Sequence, residues 1–121
     1  PEHIHVKGQT VIFLSPQEAQ KKYAILDAAN DLATFSVELL RQQEEELNSS
    51  FLDRYLRSSR DRTDMKPLLP VYQIYAALRL GVTSCEMRTA MAWSEEEREA
   101  FQQRAVQYFN IAVRFARQLP H

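Results

Sequence analysis

Three sets of residues in this chain have types and spacing that raise the question of chemistry: Asp27 and Asp31, one helical turn apart; His3 and His5, alternating onto one face of an extended segment; and the single cysteine, Cys85. Paired carboxylates serve general acid/base catalysis when a cleft surrounds them. A histidine pair holds a metal when a third ligand stands near. A cysteine at a helix N-terminus becomes a nucleophile when a base activates it. The sequence supplies none of these conditions: no cleft pattern flanks the aspartates, no third ligand accompanies the histidine pair, and the remaining histidine is His121. The aspartates therefore read as a solvated or locally hydrogen-bonded helix face, the histidines as exposed residues of an edge strand, and Cys85 as a core or surface side chain. No enzymatic activity, metal or cofactor is expected.

Basic residues gather at Arg54, Arg57, Arg60, Arg62 and Lys66, with Asp53, Asp61 and Asp64 among them. Such a run is either a solvated surface or a patch able to contact phosphate, with Arg60 and Arg62 at its centre. Over the whole chain, 15 Lys+Arg face 16 Asp+Glu for a formal net charge of -1. That balance lacks the strong positive excess through which nucleic acid binders release counterions, so contact with DNA would have to be local.

The elements that must position these residues follow from composition and periodicity. The 121 residues are 45% hydrophobic and 26% charged, which fits one soluble domain and excludes a disordered chain. No apolar run approaches the roughly 20 residues of a membrane span, one cysteine excludes an internal disulfide, and no basic segment followed by an apolar core marks a signal peptide; the expected compartment is the cytoplasm. Residues 1–14, with β-branched and aromatic positions around Lys7-Gly8-Gln9, predict a short β-hairpin or extended arm. Residues 15–121 predict a single helical domain. Ser15, Pro16 and Glu18 form a helix start, and the helix is expected to run to about Asn48. Its apolar face, carried by Ile25, Ala29, Leu32, Ser36 and Leu39 beside Leu26, Ala33, Val37 and Leu40, is wider than a surface helix needs. A short helix at 51–60, a loop at 58–67 and a third helix from Leu68 to Leu80 are expected next. Gly81 is read as its end, with a fourth helix at 84–92 and a fifth opening at the Ser94–Glu97 capping box and reaching about Arg117. The fold class is mainly α, with about five helices.

One stretch, "QIYAALRLGVTSCEMRTA" at 73–90, places Ala77, Gly81, Val82, Met87 and Ala90 where a helix-turn-helix requires small, glycine and apolar residues. It resembles the bacterial helix-turn-helix family of transcription regulators over about 20 residues. The resemblance implies a second helix in the major groove with Thr83, Ser84, Cys85, Arg88 and Thr89 facing outward, Arg88 able to take guanine bidentately, and Gln73 near the backbone. The same residues also describe a helix–helix corner, with Gly81 as C-terminal glycine and Thr83 capping a helix with Glu86. "ALRLGVTSCEMRTAM", with "ILDAANDLATFSVELL" upstream, is more faintly similar to the FlhD family of flagellar master-regulator subunits, which implies dimerisation or a partner subunit.

Two functions follow as expectations. The first is a small dimeric regulator that binds DNA through about 73–92, using Gln73, Thr83, Ser84, Arg88 and Thr89 with help from Arg60 and Arg62. The second is a non-enzymatic helical adaptor that recruits a helical protein partner on the wide apolar face of residues 23–40.

Overall fold

The computed structural model describes residues 3–6, 9–12, 16–58, 65–90 and 93–120. Two short strands, β1 (His3–Val6) and β2 (Gln9–Ile12), pair antiparallel with His3 opposite Ile12 and Val6 opposite Gln9. Four helices follow: α1 (Pro16–Arg41), α2 (Glu45–Arg57), α3 (Leu69–Ala90) and α4 (Glu95–Gln118). The protein is mainly helical. Among the described residues, no helix is long and apolar enough to cross a membrane.

The wide apolar face of α1 is the spine of the core. Ala29, Leu32, Ala33, Ser36, Val37, Leu39 and Leu40 are all buried, because α2, α3 and α4 each pack on a different part of that face. Burying a leucine or valine fully contributes about 1.5–3 kcal/mol, so this stripe is a principal source of stability. The part of the face from Ala29 to Leu40 that these residues form is thus packed within the chain, with Phe35 left exposed beside it. Met65, 2% exposed, drops into the same core just before α3 and fixes the entry of that helix.

α1 ends seven residues before the expected Asn48. Gln43 takes φ 63, the Glu44 N–H donates to the Leu39 carbonyl at 2.9 Å, and the Gln43 N–H donates to the Leu40 carbonyl at 3.0 Å. This is a Schellman close with glutamine where glycine is usual, so no composition signal announces it. The break starts α2 at Glu45, six residues before the expected start at Phe51. It brings Asn48 back onto α1, where Ser36 donates to its side-chain oxygen at 2.6 Å.

α3 and α4 are neighbours in sequence and pack along most of their lengths. α4 opens as expected: Ser94 and Glu97 form a reciprocal capping box. The connection is closed by Trp93, whose indole N–H donates to the Met87 carbonyl at 2.7 Å while its ring packs 5.2 Å from that of Phe101. Trp93 thereby satisfies a carbonyl that the last turn of a helix would leave unpaired.

The expected division of residues 68–92 into two helices does not hold. α3 is one helix through Gly81, Val82 and Thr83, and the described chain has four helices rather than five. Gly81 serves packing instead of a turn: a Cβ placed on it would lie 2.5 Å from Cε1 of Phe109 on α4. Glycine lets the aromatic ring sit directly on the α3 backbone. Thr83 is then an interior helical residue, not a cap; its hydroxyl donates to the Arg79 carbonyl at 2.9 Å.

Candidate interaction surface

α3 has two apolar faces. The inner one carries Leu69, Gln73, Ala76, Ala77, Gly81 and Ser84, all buried against α1 and α4. On the opposite side of the helix stand Val71 (53% exposed), Tyr75 (60%), Leu78 (45%) and Val82 (50%), with Leu68 exposed before them and Cys85 after them. Their spacing from Leu68 is three, four, three, four and three residues, the alternation that keeps side chains in one line along a helix that meets another helix. Aliphatic and aromatic side chains of this size form one continuous line half open to water, unlike the scattered apolar residues every surface carries.

The residues expected to meet DNA are divided by this geometry. Gln73 points inward: it is 3% exposed and its amide donates to Ser36 at 2.8 Å. With the Ser36–Asn48 bond this makes a buried polar relay from α3 through α1 to α2, and burial at full satisfaction is what makes such a relay tolerable. Ser84 is also buried, its hydroxyl bonded to the Leu80 carbonyl at 2.9 Å. Neither side chain is available to an outside ligand. Thr83, Arg88 and Thr89 are exposed, and the Thr89 hydroxyl donates back to Glu86. Arg88 lines an open groove between the end of α3 and the start of α4 together with Arg98, Glu95 and Glu99, so cations and anions alternate there. Arg60 and Arg62 lie outside the described residues.

The chemistry-bearing residues are not gathered into one site. Asp27 and Asp31 are exposed on α1, and Cys85 is exposed on α3. Among the described residues, no group of three histidine, cysteine or acidic side chains is placed to hold a metal. The strongest electrostatic features join helices. Tyr108 of α4 donates its hydroxyl to Glu38 of α1, and Arg41 bonds the same carboxylate at 3.2 Å while lying over the Tyr108 ring. Burial, with the Glu38 carboxylate beside it, pushes the Tyr108 phenol up to about 12. At the surface, Arg114 of α4 forks onto Glu45 of α2, with one N–H···O contact of 3.0 Å. Hydrogen bonding to that guanidinium holds the Glu45 carboxyl below its ordinary value and raises Arg114 in turn. Exposed pairs of this kind contribute at most about 1 kcal/mol.

The outer line on α3 is the feature sequence reasoning missed. The apolar positions of residues 68–78 were legible, but Tyr75 reads equally well as core, and only the packing shows that the inner side is taken by alanines and glycine. The chain matches no protein-family model, no curated protein and no solved structure at a significant level.

Proposed function

We propose that this chain is a helical protein-interaction module that docks a partner helix along the outer face of α3. The observation that carries the reading is the line Val71, Tyr75, Leu78 and Val82, exposed on a helix whose other side is already fully engaged. A helix apolar on both sides is stable in water only at a cost, and covering the open side removes it. The reading transfers the expected adaptor role from the α1 face at residues 23–40, whose Ala29, Leu32, Ala33, Val37 and Leu40 are core, to α3. A DNA-reading role fits this surface less well. α3 has no turn at Gly81, Gln73 and Ser84 are internal, and Arg88 shares its groove with Glu95 and Glu99.

The test compares the chain with Leu78→Glu as baits and as ligands for random duplex DNA. Stable, stoichiometric protein association by the parent and its loss in Leu78→Glu, with unchanged helical circular dichroism, supports the module. Salt-dependent duplex binding that survives Leu78→Glu and falls with Arg88→Ala would sink it in favour of the regulator.

A further inference from the structure

We infer that the occupant of the α3 outer face is a second copy of this chain, its α3 lying antiparallel to the first about a two-fold axis between residues 76 and 77. The inference rests on the interaction-module reading and names its partner.

The line is self-complementary. Read from either end, the spacing of Leu68, Val71, Tyr75, Leu78, Val82 and Cys85 is the same. An antiparallel two-fold pairing sets each residue against the one at the mirrored position. Val71 then meets Val82 of the second copy, Tyr75 meets Leu78, and Leu68 meets Cys85, every pair occurring twice as an isologous interface demands. β-branched residues face each other toward the ends and the two bulkiest side chains face each other beside the axis. A parallel pairing would stack Tyr75 on Tyr75 and leave the sizes unmatched.

Charge agrees with the same register. Arg79 is the only charged residue between Val71 and Val82. Its guanidinium is held on the flank by the Thr34 hydroxyl at 3.0 Å. The register puts Arg79 opposite Ile74 of the second copy, so the cation does not face its own equivalent. The contact spans roughly 27 Å of helix at 1.5 Å per residue. It buries on the order of 500 Å² per copy, at the lower edge of stable interfaces, so the dimer is reversible.

Sedimentation of the full chain over a wide concentration series should give a monomer–dimer equilibrium, with Leu78→Glu raising the dissociation constant at least about a hundredfold and leaving the thermal midpoint of the dilute protein unchanged. Orientation is read by cysteine pairing in a Cys85→Ser background. Val71→Cys mixed with Val82→Cys should form a disulfide-linked dimer under mild oxidation. Neither should do so alone, because each would sit roughly 16 Å from its own equivalent. Self-linkage of either variant, linkage in no mixture, or a monomer at every concentration overturns the inference. A monomer that still holds another protein in a Leu78-dependent manner removes the second copy and leaves the interaction module standing. A monomer without any such association removes both.

Discussion

The two sides of α3 are built from opposite materials. The inner side is small and intimate: Ala76 and Ala77 are fully buried, Gly81 carries the Phe109 ring, and the polar Gln73 is admitted only because Ser36 receives its hydrogen bond. The outer side is bulky and open, with valine, tyrosine and leucine standing in water. Hydrophobicity alone does not separate the two sides, since both are apolar. Size does, because helices that approach closely need small residues between them, while large residues reach toward something farther away. The comparison teaches that the inner side fixes the fold, while the outer side is free of that task and open to substitution without loss of the core.

That contrast can be broken or sharpened by substitution. The largest effect is expected from Ala76→Leu, which forces extra methylenes into a site with no free surface and should cost about 3 kcal/mol of unfolding free energy. Leu78→Ser, two residues away on the outer side, should cost under about 0.5 kcal/mol in dilute protein; denaturant titration measures both. Gln73→Leu should cost about 2 kcal/mol, because it removes the donor to Ser36 and places an apolar group in a polar relay. A loss no larger than that of an exposed glutamine would mean the relay is not formed. Gly81→Ala should destabilise by about 1 kcal/mol, its gain in helix propensity being outweighed by collision with Phe109. In a Phe109→Ala background the same change should stabilise by about 1 kcal/mol, and the reversal of sign identifies packing rather than a turn as the reason for glycine. Tyr108→Phe should cost about 0.5–1 kcal/mol near neutral pH, where the hydrogen bond to Glu38 is intact, and that cost should disappear in strong alkali. Because the folded phenol is raised to about 12, the stability it confers is complete below its unfolded value near 10 and is lost as pH rises through 12. A phenolate absorbance step near pH 12 should disappear in the variant.

How much of this the sequence disclosed depends on how local each determinant is. The Ser94–Glu97 cap spans four residues and was readable. So was the α1 core stripe, where the period of a helix is repeated over four turns. The end of α1 was not, because Gln43 occupies a left-handed conformation that usually advertises itself as glycine. Gly81 was legible as special yet ambiguous, since one residue type serves both turns and close contacts, and its partner Phe109 is 28 positions away. The Ser36–Asn48–Gln73 relay joins three helices and has no local signature at all. For the candidate surface, spacing showed an apolar line but could not say which side of the helix faced inward.

The Trp93 closure also bears on the order of assembly. α3 and α4 are joined by a short connection, and Trp93 bonds the outgoing helix while its ring packs at a tilt against Phe101 of the incoming one. Contacts between elements so near in sequence require little loop closure and form early. Topology alone therefore favours the α3–α4 hairpin as the first pair to form. Val71, Tyr75, Leu78 and Val82 all lie within that hairpin, so the line they form is set by contacts local in sequence.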